Sequence, residues 1–306
     1  MNNKVIDTIH FGIQRKIVSN MTTESWQTIP HASYMYEADV TDFFNEYKKL
    51  NAAGTHKNKI TFNTLMLKTI CEGIKVCPVI NSHIEFNPKL VRGRVDIIEN
   101  VNISMPMLLP NGEMMTINLH DFDKKNLDEM TDYIADVVRR AKNTNMTEAM
   151  FEVSLDNTMT ALKKGQIIKT ISRLIGSKTG EHKVKTLSGK AKKDYLSIPA
   201  TDRLTKHDIE QGTITVTNVG SVYRQMKGGI ALLEIIPPQI AAIAICSIQD
   251  RVVPVKDESG NMVPAVRKIL PLDIAFDHRA IDFAELVPFF TFLDNTFEHP
   301  EAMMNW

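Results

Sequence analysis

The chain has 306 residues, 43% hydrophobic and 24% charged, with 36 Lys+Arg against 36 Asp+Glu and a formal net charge of zero. This is the composition of an ordinary globular protein, long enough for one large domain or two small ones. It gives no reason to expect nucleic acid or membrane as a partner: there is no net positive charge, no apolar leader, and no run long and apolar enough to span a bilayer. The three cysteines, Cys71, Cys77 and Cys246, form neither a disulfide framework nor a metal-ligand spacing, which fits reduced thiols in a cytoplasmic protein without a metal.

In chain order, apolar residues at Phe11, Ile13, Ile17, Val18 and Met21 predict a helix over 11–22. After Pro30, a strand over 32–40 leads into a helix over about 41–51, with Thr41 or Asp42 as its cap. A helix over 58–78 carries Leu65, Met66, Ile70 and Ile74 as its buried stripe. Strands follow over 80–86, 89–92 and 101–108, and a turn at Pro110-Asn111-Gly112 makes a hairpin with 113–119. A strongly amphipathic helix spans 127–142, and residues 143–200 show the least regular pattern. Within them, residues 163–193 are rich in Lys and Arg, with Glu181 the single acid. Without interleaved aromatics, this reads as a solvated insertion in preference to a basic flap over phosphate.

Two later stretches carry chemistry. In Gly212-Thr213-Ile214-Thr215-Val216-Thr217-Asn218-Val219-Gly220, alternation puts three threonines on one strand face and Ile214 and Val216 on the other. The apolar run 240–246 reads as a buried central strand and residues 256–264 as an exposed turn. A strand over 270–276 then delivers Asp277-His278-Arg279-Ala280-Ile281-Asp282 to the start of a helix patterned by Phe283, Leu286, Phe290, Leu293 and Phe297. Asp282 and Glu285, three apart, form a capping box at that start. His278 therefore sits at a rigid strand-to-helix corner suited to holding a base.

Together these stretches resemble the catalytic domain of the dihydrolipoyl acyltransferases of 2-oxo acid dehydrogenase complexes, a domain that shares its fold with chloramphenicol acetyltransferase. The family's DHRxxDG motif reads Asp277-His278-Arg279-Ala280-Ile281-Asp282-Phe283 here, and its GTFTISNLG-like strand reads Gly212 to Gly220 with Thr217 at the hydroxyl position. Arg15-Lys16, Thr28-Ile29-Pro30-His31, Lys59-Ile60-Thr61-Phe62-Asn63, Cys77-Pro78-Val79-Ile80-Asn81 and Pro237-Pro238-Gln239 are similar to further family segments in the same order. The resemblance implies an α/β (α+β) fold, a large mixed β-sheet with flanking helices. The whole of 1–306 is then a single acyltransferase domain with an atypical insertion at about 145–208.

It also implies an activity: acyl transfer between coenzyme A and a thiol, hydroxyl or amine acceptor. His278 would be the general base and Thr217 the oxyanion donor, while Asp282 pairs with Arg15 to steady the histidine loop. Homotrimers with active sites between subunits would follow, and the acceptor would be a small molecule or a lipoyl carrier. Several residues depart from the family. Phe283 stands where it has glycine, Pro288 lies within the last helix, and Glu113-Met114-Met115-Thr116 replaces Leu-Val-Val-Pro. Neither a lipoyl domain nor a subunit-binding domain precedes residue 1, so the expectation is a stand-alone acyltransferase without a covalent lipoyl group. The rival expectation is a non-catalytic trimeric scaffold, which Phe283 favours.

Overall fold

In a computed structural model of the chain, residues 4–108, 114–163, 171, 175, 179 and 183–306 are described. The chain divides into two compact units, Met1–Thr23 with Val137–Glu210, and Glu24–Asp136 with Gln211–Trp306.

The second unit is built on a seven-stranded mixed sheet. Its strands are β1 (His31–Asp39), β4 (Ile103–Leu108), β5 (Met114–Leu119), β6 (Ile214–Asn218), β7 (Ala241–Ile245), β8 (Gln249–Lys256) and β9 (Met262–Asp277). The order is β1-β9-β7-β6-β4-β5, with β8 paired to β9. β4, β6 and β7 run parallel to their neighbours in that group, and the remaining pairs are antiparallel. Every residue of β7 is buried, as its uninterrupted apolar run requires of a central strand. A separate hairpin joins β2 (Ser82–Asn87) to β3 (Arg92–Ile97).

One sheet face is covered by α2 (Thr41–Ala52), α3 (Phe62–Val76) and α7 (Phe283–Glu298). Tyr34 of β1 meets Phe290 of α7 edge-on at 5.0 Å, and Phe43 of α2 meets Phe297 at 5.1 Å. Gly73 lets α3 approach α7 closely: a Cβ there would lie 2.6 Å from the Phe289 ring. α7 runs unbroken across Pro288, whose missing N–H leaves the Ala284 carbonyl without its intrahelical partner.

Several boundaries differ from the sequence expectations. α1 (Ile13–Thr28) runs six residues past residue 22, and α3 begins at Phe62, with Thr61 accepting the Thr64 N–H at 3.0 Å. Neither Thr41 nor Asp42 caps α2; the Asp39 carboxylate does, accepting the Thr41 N–H at 3.0 Å and its hydroxyl at 2.6 Å. Residues 89–91 form a turn, and the strand starts at Arg92. β9 extends back to Met262 and pairs along its first half with β8, a strand the sequence reading did not find. The Pro110-Asn111-Gly112 turn and the substituted Glu113 lie outside the described residues.

α4 (Leu127–Ala141), most of which belongs to the second unit, matches the expected helix, and in the first unit the stretch expected to be least regular contains α5 (Met146–Lys163) and α6 (Gly189–Leu196). Arg140 pairs with the buried Asp208 at 2.7 Å, and the Thr144 hydroxyl accepts the Leu204 N–H at 2.7 Å. Much of the basic 163–193 segment lies outside the described residues. Among the described residues no helix is long and apolar enough to cross a membrane.

Candidate functional site

β9 delivers the histidine. The Asp277 N–H donates to Ile240 O at 2.8 Å, and the His278 N–H donates to Pro30 O at 3.2 Å, so the corner is tied to the chain on both sides. Asp277 is fully buried and anchors Arg279 through Nε at 3.0 Å and Nη2 at 2.6 Å. Such a buried pair is costly to break from one side. The guanidinium also lies over the Phe86 ring at 5.8 Å. The sequence reading placed Asp277 and Arg279 in the motif without a role; they form the rigid base from which His278 projects.

His278 Nδ1 stands 3.1 Å from Asp282 Oδ1, with both side chains largely exposed. An exposed pair of this kind adds little stability, but it does fix orientation. With Nδ1 donating to the carboxylate, the proton resides there and the Nε2 lone pair faces outward as an acceptor. Asp282 also begins α7 as expected, and Glu285 Oε2 accepts its N–H at 2.8 Å. Phe283, half exposed, turns towards Tyr34, edge-on at 5.2 Å, and stacks on Phe290 at 5.5 Å.

The threonine face of β6 resolves into three different roles. The Thr213 hydroxyl accepts the Asn102 N–H at 3.0 Å, and the Thr215 hydroxyl donates to Gln239 Oε1 at 2.6 Å. Gln239 is itself fully buried and donates to Gly212 O at 2.8 Å. The Thr217 hydroxyl, half-buried, has no hydrogen-bond partner among the described residues. Just beyond it, Asn218 Nδ2 donates to Asn63 Oδ1 at 2.6 Å and fixes the end of the strand. Gln239 and Asn63 stood in family-like segments without a role, because their partners are remote in the chain.

Within one chain His278 and Thr217 do not meet. Thr217 pairs in register with Ala244, and Ala244 with Asp273. His278 lies five residues further along that strand direction, about 17 Å, and two strand spacings across, about 10 Å. Arg15 is exposed on α1 and belongs to the first unit, whereas Asp282 belongs to the second.

The sheet thus carries a strand-delivered histidine at the end of β9 and, on β6, a threonine hydroxyl without a hydrogen-bond partner among the described residues. The chain belongs to the family described as 2-oxoacid dehydrogenases acyltransferase (catalytic domain), whose model matches residues 3–155 and 181–305. It is 23% identical over 287 residues to the dihydrolipoyllysine-residue acetyltransferase component of the pyruvate dehydrogenase complex of Mycobacterium bovis, covering 93% of this chain and 40% of that protein. It is 20% identical over 300 residues to the mitochondrial counterpart from Saccharomyces cerevisiae, covering 97% and 48%. The chain thus spans about half the length, or less, of these curated relatives. Among solved structures, a probable dihydrolipoamide acetyltransferase from Listeria monocytogenes matches with a TM-score of 0.63 at 19% identity, covering 95% of this chain and 94% of that one. The cubic core of a pyruvate dehydrogenase multienzyme complex matches with a TM-score of 0.62 at 18% identity, covering 98% and 94%. The expected fold, a large mixed sheet with flanking helices, is the fold observed.

Proposed function

We propose that this chain is the catalytic unit of a dihydrolipoyl-type acyltransferase that moves an acyl group between coenzyme A and a thiol, with His278 as general base. The unspent Thr217 hydroxyl carries the reading. Of three equivalent threonines, the one at the family's hydroxyl position has its donor free, and a purely structural strand gives no reason for that difference. The relatives favour a dehydrogenase-type catalytic unit over the stand-alone acyltransferase expected from the sequence, and a dihydrolipoyl thiol over a hydroxyl or amine acceptor.

In this mechanism His278 Nε2 takes the proton of the acceptor thiol, and the thiolate attacks the thioester carbonyl. The carbonyl oxygen becomes an oxyanion, which the Thr217 hydroxyl stabilises by donating a hydrogen bond. Collapse breaks the bond to the coenzyme A sulfur, and that thiolate recovers the proton from the imidazolium. Asp282 keeps the ring in the tautomer that starts the cycle. Because the two groups lie far apart in one chain, His278 of one subunit works with Thr217 of a neighbour, in a homotrimer with sites between subunits. Residues 1–306 act as one catalytic domain carrying an extra segment; the family match breaks at 156–180 within it. Three buried free thiols fit a reducing, cytoplasmic setting.

The rival is a scaffold that keeps the fold without the chemistry, favoured by Phe283 at the glycine position. Its ring, however, packs against Tyr34 and Phe290. Thiol release from acetyl-coenzyme A with dihydrolipoamide decides between them. Acceptor-dependent release supports the acyltransferase, and absence of both thioester binding and release supports the scaffold.

A further inference from the structure

Asp273 is the one carboxylate on the inner stretch of β9 that the mechanism leaves unused. It is fully buried, and its Oδ2 has no hydrogen-bond partner among the described residues. Its register neighbours are Met35 on β1 and Ala244 on β7, and Ala244 is in turn the neighbour of Thr217 on β6. Directly paired residues share a sheet face, so Asp273 and Thr217 point to the same side, two strands apart. Residues 228–236 lie over this side. A Cβ on Gly229 would come within 2.9 Å of Met35 Sδ, and the Ile235 N–H donates to His31 Nε2 at 3.1 Å.

Asp273 reaches this covering segment through Ser33. The Ser33 hydroxyl stands 3.0 Å from Ala231 O and 2.6 Å from Asp273 Oδ1. It owns one hydrogen, and a backbone carbonyl can only accept. When that hydrogen goes to Ala231, the shorter contact needs a proton on Asp273. The surroundings favour one, since a carboxylate buried without a cation is strongly disfavoured. On this side of the sheet the titratable groups are the Cys246 thiol just past β7, His31 and Glu37 on β1, the latter paired with Arg251 of β8 at 2.7 Å, and Asp277 further along β9. Asp277 is neutralised by Arg279, and His31 is engaged by Ile29 O and the Ile235 N–H. Residues 228–236 contribute Glu234, which is exposed and accepts from Trp26 Nε1.

We propose that Asp273 is a positioning residue that works as a neutral carboxylic acid, donating to Ser33 so that Ser33 can hold Ala231 and the 228–236 segment over the Thr217 face. Ionisation as pH rises takes the proton from the relay and frees the segment. The link to catalysis rests on the acyl-transfer reading of Thr217; the latch itself does not. Burial pushes the Asp273 carboxyl above its usual range, with the Ser33 bond acting in the opposite direction. The native state therefore holds a proton that the unfolded chain releases near the ordinary carboxyl value of about 3.9. The stabilisation is complete below that pH and is lost as pH rises through the native value.

The test compares the wild type with D273N, whose amide keeps a neutral donor at the same place, and with S33A, which cuts the relay. Thermal unfolding, amide hydrogen exchange of residues 228–236 corrected for intrinsic rates, and the infrared carbonyl band of a protonated carboxylic acid are followed across pH 4 to 9 (roughly the span in which a raised carboxyl titrates). The wild type should lose melting temperature relative to D273N as pH rises, with exchange of the segment accelerating about tenfold. D273N should stay flat and lack the carboxylic-acid band, and S33A should exchange fast at every pH. Parallel curves for wild type and D273N, or a wild type without the band, overturn the proposal. If the chain transfers no acyl group, the reading of Thr217 fails, while exchange and infrared still decide for or against Asp273.

Discussion

At His278, the ring is oriented by the 3.1 Å approach of Nδ1 to Asp282 and by the Phe276 ring, edge-on at 5.9 Å, and a lone pair is left on Nε2. Replacing His278 with alanine should lower acyl transfer about 10²–10⁴-fold with the fold intact, which steady-state kinetics and circular dichroism check together. At β6 the three hydroxyls should separate cleanly. T217A should cost about 2.7–4 kcal/mol of barrier in kcat with unchanged thermal stability, and T217S should restore most of the rate. T215A should instead lose stability, since it leaves the fully buried Gln239 Oε1 without its donor, at about 1–3 kcal/mol. Equal kinetic effects at 215 and 217 would contradict this division. The histidine and the Asp282 cap were legible in the sequence, because both depend on neighbours within a few residues. Which threonine was free was not legible, because Asn102 and Gln239 reach the strand from elsewhere in the chain.

Among the elements, α3 and α7 depend on the close approach at Gly73. G73A should destabilise the protein by about 1–3 kcal/mol through overpacking against Phe289, read by chemical denaturation. The junction of β1 and α2 gives a pH prediction of opposite sign to that for Asp273. Burial works against ionisation of Asp39, but bonds from Thr41 and Arg267 prevail and hold its carboxyl below the usual range. That contribution is present above the unfolded value and is lost as pH falls through the native one. D39N should therefore lower the melting temperature at neutral pH and flatten the acid side of the profile. The same junction shows why the cap was misplaced in the sequence reading: Thr41 and Asp42 are both good caps, and only the β1 pairing reveals that Asp39 reaches the helix first. β7 was legible from its unbroken apolar run and α4 from its helical periodicity. β8 was not, because none of its residues is buried and its apolar positions, Val252, Val253 and Val255, do not alternate, and α5 was missed because its apolar residues do not gather into one stripe.

For the whole molecule, the sheet order β1-β9-β7-β6 decides the arrangement of the site. The number of residues between Thr217 and His278 could not tell whether one chain brings them together; the register shows that it does not. Subunit mixing follows as a prediction. H278A and T217A should each be inactive alone, and co-refolded in equal amounts they should regain activity at about a quarter of the sites, as random pairing across a cyclic interface requires. The most direct measurement is the rate of acetyl transfer from acetyl-coenzyme A to dihydrolipoamide by the wild type and by H278A at matched oligomeric state. The account predicts acceptor-dependent turnover that falls by at least about a hundredfold in H278A. Turnover that survives the substitution, or a wild type that neither binds nor cleaves the thioester, would contradict it.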